Sequence, residues 1–197
     1  MAFIKIKLKI PDWLDRIFVW PVLEYRKLKY GYPFRRIPLT DGKYAIVDPP
    51  DYYRFGSLDW CANEFSYGTY AVRLNNKGDK SPKILSLHRL IIDAPPGLLV
   101  DHQNGNPLDD RLANLRLATN AQNSCNRKKR KNTSSKYFGV SYINKFGKWR
   151  VKIKKNGKEF HIGYFSDEIE AAHAYDEAAK KYHGIFAKLN FPKENSA

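Results

Sequence analysis

The chain has 197 residues, 43% apolar and 14% aromatic, enough to bury one or two small cores and too rich in large side chains for a disordered chain. Lys and Arg number 35 against 20 Asp and Glu, a net charge of +15, which points to a polyanionic partner, nucleic acid before an anionic membrane surface. The apolar stretch Ile17 to Leu23 holds Pro21 and runs into Glu24, Arg26 and Lys27, short of the roughly 20 residues of a membrane span. Lysines alternate through the first residues, which do not resemble the apolar centre of a signal peptide. A cytoplasmic protein is expected, with no membrane partner and no small-molecule cofactor. Cys61 and Cys125 stand apart from each other and from any His at ligand spacing, so they read as reduced, structural thiols.

In chain order, Ile4, Ile6, Leu8 and Ile10 alternate with Lys5, Lys7 and Lys9, the period of a strand with one wet face. Asp12 to Tyr30 has apolar residues at mixed spacing around Pro21 and reads as broken helix or irregular chain. From Arg36 the turn pairs Asp41-Gly42, Pro49-Pro50 and Asn75-Asn76 separate the short apolar runs Tyr44 to Val47, Tyr70 to Leu74 and Ile84 to Leu90. That is a small, mostly β platform. Leu98 to His102 then reads as a strand, Leu115 to Leu117 as a second short strand, and Thr119 with Gln122 as the capping box of a helix. The three together form a ββα unit.

Asn126 to Ser135 contains no apolar residue and five consecutive cations, Arg127 to Lys131. It reads as a linker that also suits a phosphate backbone, with Arg127, Lys128, Lys129 and Arg130 as contacts. Beyond it, Trp149, Val151 and Ile153 alternate with Lys148, Arg150, Lys152 and Lys154. Asn156-Gly157 makes a hairpin turn, and Phe160, Ile162 and Tyr164 resume the alternation. After Ser166, Ala171, Ala172, Tyr175, Ala178, Ala179 and Tyr182 share one helical face that stops at Gly184. With Tyr137 to Tyr142 as a first strand, this predicts a three-stranded sheet covered on one side by a helix. The apolar face packs on the helix, and the basic face, otherwise only a solvated surface, suits a major groove.

Hydrolysing a phosphodiester needs a base for water, a cation to offset the charge that gathers on phosphate and leaving oxygen, and ligands for that cation. Asp101, His102, Asn114 and Asn123 have the chemistry for this. Asp101 and Asn123 offer hard oxygens suited to Mg²⁺, and the imidazole of His102 is the natural proton acceptor. Consecutive residues of an extended strand point to opposite sides, so Asp101 and His102 share one task only with a local distortion. His88, in a Leu-His-Arg-Leu run, reads as a hydrogen-bonded structural histidine, with Arg89 a candidate phosphate contact.

Two resemblances add to this reading. The Asp101-His102 pair followed by Asn-Gly-Asn, with Asn114, Asn123, the upstream Leu87-His-Arg-Leu and the downstream Asn-Leu-Arg-Leu-Ala-Thr, resembles the HNH homing endonucleases of phage and mobile introns, from about Ile37 to Asn126. The likeness implies that His102 is the general base, that Asp101 and Asn123 hold one divalent cation, magnesium or alternatively manganese, and that Asn114 orients the histidine ring. It also implies a bacterial or phage-infected cell as the setting. The third family letter is Asn123 here where it is often His, which makes zinc a poorer fit.

The motifs Tyr137-Phe-Gly-Val, Gly147-Lys-Trp, His161-Ile-Gly-Tyr-Phe, Glu170-Ala-Ala-His-Ala-Tyr-Asp-Glu-Ala-Ala and Leu189-Asn-Phe-Pro resemble the plant Apetala/ethylene-response-factor DNA-binding domain, over about Ser135 to Pro192. That likeness implies a sheet lying in the major groove, with Lys148, Lys152, Lys154 and His161 at contact positions. Phe138, Ser141 and Ile143 to Asn144 stand where the plant domains carry base-reading arginines, so the plant target does not carry over.

The expected organisation is α+β: residues 1–36 without an assigned role, a nuclease domain over 37–126 whose mostly β platform leads into a ββα-metal unit, a basic linker over 127–134, and a sheet-plus-helix DNA-binding domain over 135–192. The expected function is metal-dependent hydrolysis of double-stranded DNA, by nick or double-strand break, at a preferred site and of homing type. The alternative is a sequence-preferring DNA-binding protein with an inactive nuclease module. An RNA-directed protein is a third reading, which competition between duplex DNA and RNA would separate.

Overall fold

A computed structural model describes residues 11–75, 83–126 and 133–192. The alternating strand expected near the N-terminus and the cations Arg127, Lys128, Lys129 and Arg130 lie outside the described residues. The chain divides into two compact units. One runs up to Ala94 and takes in Asn106–Arg116; the other holds Pro95–Gly105 and the chain from Leu117 onward. The fold is mixed α and β, built on several small antiparallel sheets.

The first unit opens with α1 (Asp12–Tyr30), one continuous helix through Pro21 and not the broken segment expected from that proline. An interior proline removes one backbone hydrogen bond, and the other turns carry the helix past it to Gly31, whose left-handed φ of 80° returns an N–H to Lys27. Polar side chains seat this helix. Arg35 and the Tyr53 hydroxyl both donate to Asp15, at 2.7 and 2.9 Å, and the hydrogen bond from Arg35 holds that carboxyl below the usual carboxylate range against the opposing effect of burial. Trp13, Ile17, Phe18, Trp20 and Leu28 are exposed.

Strands β1 (Arg35–Pro38) and β2 (Tyr44–Val47) pair as a hairpin, with Asp41 and Gly42 both at positive φ in the turn, as the Asp-Gly pair predicts. Ile37, Ala45 and Val47 point into the core and are fully buried. Pro49-Pro50 does not make the expected turn; it opens helix α2 (Pro49–Phe55), because the first helical turn has no use for the missing N–H. Strands β3 (Cys61–Phe65), β4 (Gly68–Asn75) and β5 (Lys83–Ser86) form an antiparallel sheet in that order. The run Ile84 to Leu90 splits between β5 and a short helix α3 (Leu87–Ile91), which buries Leu87, His88 and Ile91.

Strands β6 (Leu99–His102) and β7 (Leu115–Ala118) form a two-stranded sheet, followed in the second unit by α4 (Asn120–Asn123) and a 3-10 turn, Ser124–Asn126. The expected capping box is present: Thr119 Oγ1 accepts the Gln122 N–H and Gln122 Oε1 accepts the Thr119 N–H. Farther on, β8 (Val140–Ile143), β9 (Lys148–Lys155) and β10 (Lys158–Phe165) make an antiparallel sheet with β9 in the centre. Helix α5 (Glu168–His183) covers one face, and Val140, Val151, Ala171 and Ala172 form the buried seam. Its cap is Asp167, whose carboxylate accepts the Ile169 and Glu170 N–H groups at 2.8 Å.

Gly139 is fixed by sterics. Its φ is +70°, and a Cβ there would lie 2.0 Å from the Tyr175 ring and 2.8 Å from the Lys152 carbonyl. Asp176, buried beneath the chain end, accepts the Asn190 N–H on one oxygen and the Phe191 N–H on the other, both at 2.8 Å. Asn190 in turn accepts the Phe138 N–H, so the helix, the first strand's approach and the Asn190–Phe191 segment are closed by one polar network.

Candidate active site and nucleic-acid interface

In the second unit the acid and the histidine singled out by sequence lie side by side at the end of β6. Asp101 and His102 are 4% and 5% exposed, an uncommon burial for two ionisable neighbours and one that requires fixed polar partners. Asn126 supplies one for the Asp101 carboxylate and another for the backbone of His102. Its Nδ2 donates to Asp101 Oδ1 at 2.9 Å and to the His102 carbonyl at 2.7 Å. That carbonyl also accepts the Gly105 N–H at 2.8 Å, and Gly105 takes a φ of +72° to start the turn that leaves the strand. Asn123, half-buried, closes α4 one turn before Asn126.

The first unit carries the loop that separates β6 from β7. Ile46 donates to the Leu108 carbonyl and accepts from the Asp110 N–H, each at 2.8 Å, so the loop is stitched to β2 through the backbone. Asp109, 3% exposed, takes both arms of Arg111 at 2.7 Å. Asn114 is buried and donates Nδ2 to the Asp109 carbonyl at 2.7 Å. His88 is buried as well, its ring 5.3 Å from that of Tyr70, and a ring nitrogen lies within 4.8 Å of a carboxylate oxygen of the fully buried Asp110.

Sequence reasoning passed over Asn126, Asp109 and Asp110. The signals were present: two adjacent acids inside a strongly basic chain, and an asparagine three places after Asn123 on the same short helical run. Neither points to a role without knowing which strand the loop and the turn lie against.

The C-terminal sheet keeps its cations outward. Cross-strand partners share a face, so the register sets Ser141, Arg150 and Tyr164 together, then Lys152 with His161, and Lys154 with Glu159, on the side away from α5. Lys148, Lys154 and His161 are exposed. Lys152 donates to Glu159 at 2.9 Å and holds that carboxyl below its usual range; Arg150 lies 3.5 Å from Ser141 Oγ. The simple alternation expected for Phe160, Ile162 and Tyr164 fails after His161. A bulge between His161 and Gly163 shifts the phase by one residue. Phe165 therefore lies opposite Trp149, while Tyr164 comes out beside Arg150, 4.7 Å from the His161 ring and 5.5 Å from that of Phe146.

No helix among the described residues is long and apolar enough to cross a membrane.

Comparison with known proteins matches these two regions separately. A family model described as HNH endonuclease matches residues 93–125, and one described as AP2 domain matches 135–185. "Protein 3.8" of Escherichia phage T7 is 36% identical over 95 residues, 48% of this chain and 78% of that protein. "Uncharacterized HNH endonuclease L560" of Acanthamoeba polyphaga mimivirus is 38% identical over 112 residues, 54% of this chain and 57% of that protein. The "AP2-like ethylene-responsive transcription factor TOE2" of Arabidopsis thaliana is 41% identical over 58 residues, 29% of this chain and 12% of that protein. The chain thus spans most of the phage protein, just over half of the mimivirus protein and a small part of the plant factor. A buried Asp-His pair ahead of a capped helix and a basic sheet backed by one helix are accounted for together by one conclusion: the chain belongs to the HNH endonuclease family and carries an AP2-type DNA-binding domain after its HNH segment.

Proposed function

We propose that this endonuclease hydrolyses double-stranded DNA at a preferred site, in a metal-dependent reaction of homing type, with residues 37–126 cutting, 127–134 linking and 135–192 holding the duplex. The observation that carries the reading is the burial of Asp101 and His102 at one strand end, tied down by Asn126. Ionisable pairs withdrawn from water and fixed by hydrogen bonds mark chemistry more often than surface solvation. The strand, turn, strand and capped helix around them have the order of a ββα-metal unit.

The donor set fits a hard divalent cation. A carboxylate at Asp101 and an amide oxygen at Asn123 are ligands that magnesium and manganese take, and the exposed thiol of Cys61 is not among them. A bound divalent cation supplies positive charge that offsets the charge gathering on the phosphate and leaving oxygen. In this scheme Asp101 and Asn123 hold it. His102 accepts a proton from the water that attacks phosphorus, and Asn114, whose Nδ2 is committed to the Asp109 carbonyl, orients the His102 ring through its amide. Lys148, Arg150, Lys152, Lys154 and His161 contact the duplex, the lysines through phosphates, which fix position more than sequence.

The test is conversion of supercoiled plasmid with Mg²⁺ and with EDTA, beside His102→Ala, on a gel resolving nicked and linear forms. Metal-dependent conversion is expected, lowered by roughly 10²–10⁴-fold in the variant, with DNA retained in a gel shift. Normal cutting by His102→Ala would remove the assigned base. Tight binding without conversion of a plasmid carrying a selected binding site would remove the nuclease reading and leave a binding protein.

A further inference from the structure

A primary amide nitrogen carries two hydrogens, and Asn126 uses its Nδ2 for two different atoms of β6. One bond goes to Asp101 Oδ1 at 2.9 Å and one to the His102 carbonyl at 2.7 Å. The first fixes the rotation of a carboxylate, and the second fixes the backbone that carries the neighbouring imidazole. Asn126 is itself held from the other side, because its own carbonyl accepts the Lys188 Nζ at 3.2 Å. Lys188 lies beyond α5, in the segment that leads to the Asn190–Phe191 network closed by Asp176. The neighbouring Cys125 Sγ lies 3.4 Å from His183 Nδ1 at the end of α5. The turn Ser124–Asn126 therefore stands between the C-terminal segment and the strand end that bears Asp101.

We infer that Asn126 is a positioning residue of the nuclease centre, which presets Asp101 for a divalent cation, and that the C-terminal segment stabilises it in that role through Lys188. This rests on the reading of Asp101 as a cation ligand. A ligand carboxylate with one oxygen committed to an N–H donor has lost a rotational freedom that cation binding would otherwise have to remove, and outer partners of this kind typically change metal affinity or activity by about 10–100-fold. An alanine at this position leaves the carboxylate in place and removes the two hydrogen bonds that fix it and the backbone beside it. The expected signature is thus weaker cation binding at Asp101, separate from any change in fold.

The experiment titrates Mn²⁺ into the full chain with a duplex present and follows free Mn²⁺ by electron paramagnetic resonance, for the natural protein, Asp101→Asn and Asn126→Ala, each with its thermal melt. The natural protein is expected to take up Mn²⁺, Asp101→Asn to lose that uptake, and Asn126→Ala to bind about 10-fold or more weakly with a cooperative melt retained. The Mg²⁺ concentration that half-saturates cleavage should rise by the same factor, more than the rate at saturating Mg²⁺ falls. Natural affinity in Asn126→Ala, with uptake lost in Asp101→Asn, would overturn the inference and leave the assignment of Asp101 standing. No uptake by the natural protein, or equal uptake by Asp101→Asn, would overturn the assignment and the inference with it. Should Asn126→Ala not melt cooperatively, Asn126→Ser, which keeps a single donor, is read by the same criteria with an intermediate shift expected.

Discussion

In the nuclease segment the ionisable side chains lie inside: Asp101, His102, Asp109 and Asp110 are each 5% exposed or less. On the C-terminal sheet Lys148, Lys154, Glu159 and His161 are all open to solvent. Burial makes the first group costly unless each member has a fixed partner. Solvated cations cost little to keep and adjust to a polymer of phosphates, which suits binding along a length of duplex. The same residue types serve opposite ends because water is excluded from one region and admitted to the other.

Asp176 offers the sharpest way to break this comparison, because it is a buried carboxylate in the binding domain, 3% exposed. Both of its oxygens are used on the backbone of Asn190 and Phe191, so its role is to hold the domain closed. Asp176→Ala orphans two N–H groups at about 1–3 kcal/mol each. A loss of roughly 2–6 kcal/mol is expected by calorimetry, with affinity for duplex unchanged at temperatures where the domain is folded. Affinity lost in the folded variant would mean that this carboxylate acts on DNA after all.

Next in size is the response of the exposed face. Replacing Lys148, Lys152 and Lys154 together by alanine should lower the slope of log affinity against log salt by about 1 per phosphate contact removed, so by about 2–3 in all. The cleavage rate of bound, saturating DNA should stay as it was. Removing Lys152 also frees Glu159 from its 2.9 Å partner, which adds repulsion of like sign to the loss. An unchanged salt slope would show that the duplex lies on another surface.

How far each region could be read in advance follows from the same contrast. The C-terminal domain was legible because a solvated face and a core face impose a period of two, and because Asn156-Gly157 and Gly184 end elements locally. The bulge at Ile162 escaped, since nothing in the side-chain pattern of Phe160 to Tyr164 marks a shifted register, and the first strand, expected over Tyr137 to Tyr142, runs over Val140–Ile143. The capped helix after β7 was legible for the same local reason, through Thr119 and Gln122. Helix α1 was misread because Pro21 is a local signal overridden by tertiary anchors, Asp15 on Arg35 and Tyr53. Asp101, His102, Asn114 and Asn123 could be named as candidates from their side-chain chemistry and the motif, but not the partners of the strand end. Asn126, 25 residues from Asp101, meets it only once the fold is made.

The smallest expected effect lies at the end of α5. Burial pushes the His183 imidazole below its ordinary value, helped by the charge of Lys155, and Cys125 Sγ lies 3.4 Å from its Nδ1. The folded protein therefore takes up a proton at lower pH than the unfolded chain, whose imidazole titrates at about 6.5. Between the two values the unfolded chain binds more protons, so stability is full above about pH 6.5 and falls as pH drops towards the folded value. Between about pH 7.5 and pH 5.5 the melting temperature should fall further in the natural protein than in His183→Gln, by on the order of 1–2 °C. Comparing the two proteins cancels the other histidines, which titrate in both. An equal fall would mean that protonated His183 is as well accommodated in the fold as in water, and that the end of α5 is an open surface like the basic sheet and not a dry contact like the strand end at Asp101.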